Sequence, residues 1–326
     1  MSEVSPSTHA NDVSLSVVIC TFNRANLLNC ALASLAAQTA RKSMEVVVVD
    51  NNSADATQEV LQKWCSDQTI RLTAVFEPRQ GLSQARNTGI AHAGGSIIAF
   101  LDDDVWVPPD WAARILRIFA DKPDVDCLTG PVEAQWEGIP PPPWVNDELL
   151  FSVGVGQYGP VGRFLTGKEY PFGGNSAYRA GVFVEIGGFD SRLGRIGFDL
   201  LSCEEVELAG RLRASGKRIY YDPDVKVRHL VLASRACKAY FLARRYADGR
   251  SIAVWEGLRG GKWLVARNAF LRLVLTIVRD VPGYVLTAVV RSERHFTYDC
   301  RLAKTSGYLK RVVKILTRGI DGGLVS

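Results

Sequence analysis

Four short apolar runs, separated by segments with helical spacing, constrain the fold of this chain most strongly. They lie at residues 15–20, 44–50, 71–76 and 96–101, and they are rich in β-branched residues. Such runs are typical of buried parallel strands, and the apolar residues between them recur at the spacing of amphipathic helices. This repeat of strand and helix predicts an α/β domain whose mostly parallel sheet is flanked by helices.

Carboxylates end two of these runs. Asp50 closes the second, and the fourth leads into Asp102, Asp103 and Asp104. Ligands of such sheets lie beyond the carboxyl ends of the strands. Adjacent carboxylates repel and are costly to desolvate, so Mg²⁺ or Mn²⁺, which suit oxygen ligands, is one expected partner. A solvated acidic loop before a helix that begins near Pro108 is the alternative, and the triplet alone leaves both open.

Several protein classes are disfavoured by what the sequence lacks. Neither GxGxxG nor GxxxxGK[ST] occurs, which argues against a dinucleotide-dependent dehydrogenase and a P-loop NTPase. The seven cysteines include no CxxC pair, so no zinc site or disulfide framework is indicated. Reduced thiols in a cytosolic protein are the simplest interpretation.

Charge is distributed unevenly along the chain. Residues 235–326 hold 18 basic and 6 acidic side chains, whereas the whole chain carries only +5, so the remainder carries −7. A basic C-terminal segment on an acidic body predicts contact with an anionic partner such as a membrane surface or phosphate groups. No nucleic-acid-binding motif accompanies the charge, so we expect no nucleic acid partner.

Residues 264–290 form the most apolar late stretch. Arg267, Arg272, Arg279 and Asp280 interrupt it, so no uncharged run is long enough to predict a membrane-spanning helix. The stretch fits either an interfacial helix or a core helix of a small C-terminal subdomain, and we slightly favour the core helix.

The middle of the chain contains a long, proline-rich and glycine-rich connection over residues 135–171, which predicts a functional or mobile loop. Paired glycines follow at Gly173 and Gly174, where they permit either close ligand approach or a tight turn. Glu204 and Glu205 then open a helix, where acidic residues either complement the helix dipole or supply a general base. His229 alone is more typical of a structural histidine.

Six motifs in this order resemble those of the family 2 glycosyltransferases with the GT-A fold, and they span about residues 15–229. They are VICTFNR (18–24), VVDNNS (48–53), GLSQARNTG (81–89), FLDDD (100–104), FGGN (172–175) and CEEVEL (203–208). Each motif is weak alone, but the ordered set is specific. The sequence departs from the family pattern at Cys203, which replaces a glycine, and at Glu205, which replaces an aspartate.

The resemblance implies an inverting, metal-dependent glycosyltransferase, a hexosyltransferase-type enzyme of class EC 2.4. Its metal, Mn²⁺ or Mg²⁺, would be held by Asp102, Asp104 and His229, and Glu205 would be the catalytic base. Asp103 points the other way on an extended chain, so we expect it to tolerate change best. The implied donor-binding residues are Thr21, Phe22, Asn23, Arg24, Asp50, Asn52, Gly81, Arg86, Asn87, Asp102, Asp103, Gly174, Asn175 and Glu204.

The resemblance also implies an organisation and a setting. We expect a disordered tail at residues 1–14, a GT-A nucleotide-diphospho-sugar transferase domain at 15–232, and a basic, mainly helical segment at 233–326. The donor would be a UDP-sugar and the acceptor a glycan or lipid-linked sugar of bacterial exopolysaccharide or cell-surface glycan synthesis. The protein would be cytoplasmic, with peripheral contact to the inner membrane face through its basic segment. A catalytically silent glycan- or nucleotide-binding subunit and a nucleotidyltransferase are the alternatives.

Overall fold

A computed structural model describes residues 14–320, so the tail predicted at residues 1–14 lies almost wholly outside the described residues. The strands are β1 (Leu15–Thr21), β2 (Met44–Asp50), β3 (Leu72–Phe76), β4 (Ile97–Asp102), β5 (Val105–Trp106), β6 (Cys127–Thr129), β7 (Val132–Trp136), β8 (Arg163–Phe164), β9 (Asn175–Arg179), β10 (Ile219–Tyr221) and β11 (Val227–Val231). The α-helices are α1 (Ala25–Ala36), α2 (Thr57–Asp67), α3 (Leu82–His92), α4 (Trp111–Asp121), α5 (Asp147–Leu150), α6 (Ala180–Ile186), α7 (Glu204–Ala214), α8 (Lys238–Leu275), α9 (Val281–Val289) and α10 (His295–Arg318).

The main sheet has the strand order β3-β2-β1-β4-β9-β6-β10-β8. Its first four strands are parallel, as the sequence predicts, and β9 runs antiparallel between β4 and β6. The register aligns Thr21 with Asp50 and Cys20 with Asp102. The ends of β1, β2 and β4 therefore lie side by side at one edge of the sheet.

Helices cover both faces of this sheet because its central strands are apolar on both sides. Val17 and Ile19 pack on the side of Leu32 in α1, whereas Val18 packs with Ala85 of α3 on the other side. Each of these side chains is at most 1% exposed. This mostly parallel sheet between two helical layers confirms the predicted α/β fold.

A second, small sheet lies over the carboxyl edge, in the order β5-β11-β7. Its strand β11 pairs with β5, directly after the acidic triplet, and aligns His229 with Val105. The pairing carries a residue from late in the chain to the end of β4.

Three long helical segments follow the sheets. Helix α8 breaks at Gly260 and Gly261, where φ is −145° and +66°, and a five-residue π-helical turn, Thr276–Asp280, joins it to α9. Helix α10 packs against α8 at close range: a Cβ on Gly249 would lie 1.9 Å from the carbonyl oxygen of Lys304. A buried cluster that joins Leu149 and Val231 to Phe241, Phe296 and Cys300 attaches these helices to the sheet domain.

Large apolar side chains of the C-terminal helices remain exposed, and we call this set the apolar surface. Their exposed fractions run from 41% to 89%. The set is Trp263, Phe270, Leu271, Leu273, Val274, Leu275, Ile277, Val278, Val281, Val285, Leu286, Val289 and Val290. The preference for a core helix over residues 264–290 is therefore wrong, because these side chains do not face the interior. Within residues 14–320, none of the helices combines the length and apolar character needed to span a membrane.

Candidate active site

The three carboxylates at the end of β4 occupy different environments. The side chain of Asp102 is 42% exposed, whereas those of Asp103 and Asp104 are 5% and 3% exposed. Arg24, which follows β1, places Nη1 2.8 Å from Asp103 Oδ1 and 2.8 Å from Asp104 Oδ2. The alignment of β1 with β4 thus brings a cation to the acidic triplet.

Of the three carboxylates, Asp104 has the most basic side chains close to it. His229 Nε2 lies 3.1 Å from its Oδ1, because the pairing of β5 with β11 brings the imidazole over the end of β4. Arg235 Nη1 lies 3.2 Å from its Oδ2. Burial raises the pKa of Asp104, but the neighbouring His229, Arg24 and Arg235 outweigh burial and hold the pKa well below its ordinary value.

Asp103 points inward. Its Oδ2 accepts a hydrogen bond of 2.8 Å from the Thr21 hydroxyl, and its Oδ1 pairs with Arg24. Burial raises its pKa to about 6 against the opposing effect of Arg24. Successive side chains of an extended chain point to opposite sides, and the Asp103 side chain does point away from that of Asp102. It points into a buried position, however, where both of its oxygens have partners. These contacts contradict the basis of the prediction that Asp103 tolerates change best.

Arg86 on α3 joins the triplet to the glutamates of α7. Its side chain is 3% exposed, and Nη1 lies 3.3 Å from Glu204 Oε1 and 3.0 Å from Glu205 Oε1. Its Nη2 lies 3.7 Å from Asp102 Oδ1. The guanidinium also packs over the rings of Phe100 and Phe189. A single buried cation therefore pairs with carboxylates that come from two separate motifs, FLDDD and CEEVEL.

The two adjacent glutamates differ in exposure and in charge balance. Burial and the neighbouring Glu205 raise the pKa of Glu204 to about 8, although Arg86 opposes them. Oε2 of Glu204 is buried and has no hydrogen-bond partner among the described residues. Glu205 keeps 16% of its side chain exposed in the cleft. Glu205 is thus the one of the pair that a substrate can reach more readily.

Gly173 and Gly174 lie directly against these carboxylates. A Cβ added to Gly173 would lie 1.9 Å from Glu205 Oε1, and one added to Gly174 would lie 2.7 Å from Asp102 Oδ2. Neither distance is sterically possible without movement of a charged side chain. A side chain at either position would therefore displace an acidic group of the site.

The turn after β2 forms the opposite wall. Asp50 is 2% exposed; its Oδ1 accepts a hydrogen bond from the Ser53 amide at 2.9 Å, and its Oδ2 has no partner within the described part of the chain. Asn23, with φ of +54°, accepts a hydrogen bond from the Ala54 amide. Asn52 is exposed, with φ of +68°. Asp50 therefore retains a buried, unpaired acceptor at the carboxyl edge.

Asn51, absent from the predicted set, organises this wall. Its Nδ2 donates to the carbonyl oxygens of Glu77 and Arg79 at 3.0 and 2.7 Å, and its Oδ1 accepts from the Gly81 amide at 2.8 Å. Gly81 has a φ of +150° and precedes α3. The VVDNNS motif already indicated this residue, because the side-chain amide of Asn51 directly follows the strand-end carboxylate of Asp50.

Two predicted donor-binding asparagines hold the frame of the site. Asn87 exchanges two hydrogen bonds of 2.8 Å with the backbone of Phe189. Asn175 accepts from Trp111 Nε1 and donates to the carbonyl oxygens of Pro131 and Val225. Their polar atoms are thereby committed to the protein.

A cleft of about 1340 Å³ opens over the carboxyl edge. The predicted site residues that line it are Thr21, Phe22, Arg24, Arg86, Asp102, Asp103, Asp104, Gly174, Glu204, Glu205 and His229. Asn23, Asp50, Asn52, Gly81, Asn87 and Asn175 are not in its lining. Of the residues 14–320, no three His, Cys, Asp or Glu side chains are arranged to hold a metal ion.

The cleft also contains arginines that motif reasoning did not find. Arg195 lies in the loop before α7, and no hydrogen bond or ion pair engages its guanidinium within residues 14–320. Burial lowers its pKa, and the adjacent Arg244 and Arg235 lower it further. Arg244 and Arg235 come from the C-terminal segment, so only the folded structure reveals this concentration of positive charge.

Comparison with known proteins agrees with this architecture. A mannosyltransferase from Pyrobaculum calidifontis, solved in complex with GDP-Man and Mn²⁺, superposes with a TM-score of 0.60 at 20% identity, over 93% of this chain and 87% of its own. Similarity at this level establishes the fold, that of a nucleotide-sugar transferase.

Sequence comparison identifies the family. The model of glycosyl transferase family 2 matches residues 16–186, more than half of the chain, and the protein belongs to this family. A glucosyl-dolichyl phosphate glucuronosyltransferase of Haloferax volcanii is 26% identical over 82% of this chain and 85% of its own length. A succinoglycan biosynthesis protein of Rhizobium meliloti is 27% identical over 73% of each chain. The protein is thus a glycosyltransferase that moves a sugar from a nucleotide sugar, and the prediction of an enzyme of class EC 2.4 is confirmed.

Proposed function

We propose that the protein is an inverting, metal-dependent glycosyltransferase that uses Glu205 to activate a hydroxyl of its acceptor. The observation that carries this proposal is the position of Glu205: it lies in the same cleft as the acidic triplet, partly exposed, and bonded to Arg86 at 3.0 Å. A carboxylate held there can accept the proton of a hydroxyl group as that group attacks the sugar. General-base assistance contributes roughly 10²–10⁴-fold to such a reaction.

Asp104 and His229 fit the proposed Mn²⁺ or Mg²⁺. Their facing atoms, Oδ1 and Nε2, are 3.1 Å apart, and neighbouring ligands of an octahedral ion with bonds of about 2.1 Å lie about 3.0 Å apart. Asp102, at the exposed end of β4, is the third proposed ligand. A bound cation would supply charge stabilisation for the departing nucleoside diphosphate. Arg24 and Arg235 already supply positive charge on the other oxygen of Asp104.

The turn after β2 is the proposed site for the base and ribose of the donor. The unpaired, buried Oδ2 of Asp50 supports this assignment, because a buried acceptor without a partner is costly unless a ligand satisfies it. Thr21 and Phe22 line the neighbouring wall of the cleft. We retain a UDP-sugar as the proposed donor, and a GDP-sugar is the alternative suggested by the mannosyltransferase complex.

We propose a glycan or lipid-linked sugar as acceptor, in bacterial exopolysaccharide or cell-surface glycan synthesis. The names of the two relatives, one acting on a dolichyl phosphate compound and one in succinoglycan biosynthesis, support this class. The proposed setting is the cytoplasmic face of the membrane. There the apolar surface would contact the acyl chains and Arg267, Arg272 and Arg279 in the same segment would contact anionic headgroups.

Release of nucleoside diphosphate from a panel of UDP- and GDP-sugars, with Mn²⁺ and with chelator, tests the function. We expect metal-dependent release from one donor, and a fall of roughly 10²–10⁴-fold in turnover for Glu205→Gln with donor affinity retained. Glu207→Gln is the matched control, because Glu207 pairs with Arg211 on the same helix. Full activity of Glu205→Gln would refute its role as base, and release from no donor would refute the reaction.

A further inference from the structure

A second cavity among the C-terminal helices adjoins the active-site cleft. This second cavity measures about 460 Å³ and reaches Leu271 and Leu275 of the apolar surface. Five residues line both cavities: Arg245, Glu256, Asn268, Arg272 and Lys304. The adjoining cavities therefore mark a path from the acidic triplet, past basic side chains, to exposed leucines.

The acidic residues along this path already have partners. The Tyr308 hydroxyl donates to Glu256 in a short buried hydrogen bond. Glu148 accepts hydrogen bonds from Arg301, and its Oε1 lies 3.2 Å from Arg245 Nη2. Little negative charge remains for the other cations of the path.

Of the three cations that line both cavities, Lys304 and Arg272 have no ion pair with an acidic side chain within residues 14–320. Within residues 14–320, no hydrogen bond or ion pair engages the Lys304 ammonium, and burial together with Arg245 and Arg272 lowers its pKa. The Arg272 guanidinium lies 4.3 Å from the centre of the Tyr308 ring and has no ion pair in the described chain. Asp248 offsets part of the Lys304 charge. A bound anion would offset the remaining repulsion between the two cations, which lie at the junction of a polar cleft and an apolar surface.

We propose that Arg272 and Lys304 bind the phosphate of a phosphate-linked lipid acceptor. The proposal rests on the transfer reaction proposed above and specifies its acceptor site. A phosphate supplies the missing negative charge, and the lipid chain follows Leu271 and Leu275 toward the apolar surface. The acceptor sugar, attached on the other side of the phosphate, then faces the cleft that contains Glu205.

Calorimetric titration with citronellyl phosphate, a short isoprenoid phosphate, tests the site directly. We expect binding to the wild-type protein and at least tenfold weaker binding to Arg272→Ala and to Lys304→Met, with the affinity for UDP and Mn²⁺ unchanged. Arg272→Lys should restore part of the affinity. Arg294→Ala, which removes an exposed cation outside both cavities, is the matched control.

Two further titrations show whether the bound anion is a lipid phosphate or free inorganic phosphate. Inorganic phosphate should bind more weakly than citronellyl phosphate, and Leu275→Asn should weaken only the latter. Equal binding of both phosphates would overturn the lipid assignment, and a parallel loss of UDP affinity would assign the cations to the donor. Donor hydrolysis reports separately on the proposed function: hydrolysis without phosphate binding refutes this site alone, and phosphate binding without hydrolysis refutes the reaction alone.

Discussion

The sheet domain and the C-terminal helices depart in opposite ways from the usual rule that charged side chains are exposed and apolar side chains are buried. In the sheet domain, charged side chains such as Arg86, Asp104 and Glu204 are at most 3% exposed. In the C-terminal helices, large apolar side chains such as Val278 and Val289 are 69% and 75% exposed. Charged residues are rarely buried without partners, and contiguous exposed apolar surface is rare in monomers.

The difference indicates which kind of ligand each region is built for. Buried charges around the acidic triplet balance one another only in part, since Glu204 and Asp50 each retain an oxygen without a partner among the described residues. This suits a polar, charged donor. Within residues 14–320, no packed element covers the side chains of the apolar surface, which suits a lipid environment. The two proposals thus place donor binding in the sheet domain and acceptor binding at the C-terminal helices.

Removal of the Arg86 charge should have the largest effect on stability. Arg86→Met leaves Glu204 and Glu205 side by side without their buried cation, and breaking a buried ion pair in this way costs about 3–5 kcal/mol. Urea-induced unfolding measures the loss. Arg79→Met is the matched control, because Arg79 is an exposed member of an ion pair with Glu77, and we expect little change there. Similar unfolding midpoints for both variants would contradict the role of Arg86.

The apolar surface should determine membrane affinity and leave folding unaffected. Val278→Glu combined with Val285→Glu places charge where burial of each valine in a bilayer is worth about 1.5–3 kcal/mol. We expect wild-type protein to sediment with vesicles of phosphatidylglycerol and phosphatidylcholine, and the double variant to stay largely in the supernatant with an unchanged unfolding midpoint.

A matched control for this experiment lies in the sheet domain. Val184 on α6 is 88% exposed and outside the apolar surface, so Val184→Glu should retain vesicle binding. High salt should weaken wild-type binding, because the arginines of the segment contact anionic lipid. Equal sedimentation of all variants would show that these helices do not meet the bilayer.

The same two regions differ in how far their sequence predicts them. The first four strands and the helices between them follow from local patterns, because β-branched runs and helical spacing are properties of neighbouring residues. The positions of Asp50 and Asp102 follow too, since parallel strands end at one edge. The family resemblance adds Glu205 and His229, whose proximity to the triplet depends on long-range pairing.

Long-range contacts account for what remained unpredicted. The position of His229 next to Asp104 depends on the short pairing of β5 with β11, across more than 120 residues. Arg244 and Lys304 line the cleft because α8 and α10 pack over it, and Arg235 lies on the turn between β11 and α8. For residues 264–290 the composition was compatible with a core or a surface, and packing of the opposite helix faces decided the outcome.

The paired glycines provide a smaller, local test of the catalytic region. Gly173→Ala would place a methyl group 1.9 Å from Glu205 Oε1 and displace the proposed base. We expect a fall of about tenfold or more in turnover (about 1.4 kcal/mol in the barrier). Gly181→Ala is the control, because its Cβ meets nothing within 4 Å and its φ is not positive, so turnover should not change. Equal turnover of the two variants would show that the loop adapts.

The protonation of Glu204 should change the free energy of unfolding gradually with pH. Its folded-state pKa of about 8 lies above the ordinary 4.5, so between these pH values the folded protein holds a proton that the unfolded chain releases. Stability therefore falls as pH rises from about 4.5 to about 8, by at most about 1.4 kcal/mol per pH unit for one proton. Glu204→Gln should remove this slope in urea unfolding at pH 5, 6, 7 and 8, whereas Glu207→Gln should retain it.

Asp103, whose pKa is also raised, has the same effect in all three proteins and cancels in the comparison. Parallel profiles for wild type and Glu204→Gln would mean that Arg86 keeps Glu204 ionised, and the cation would then balance both glutamates of α7.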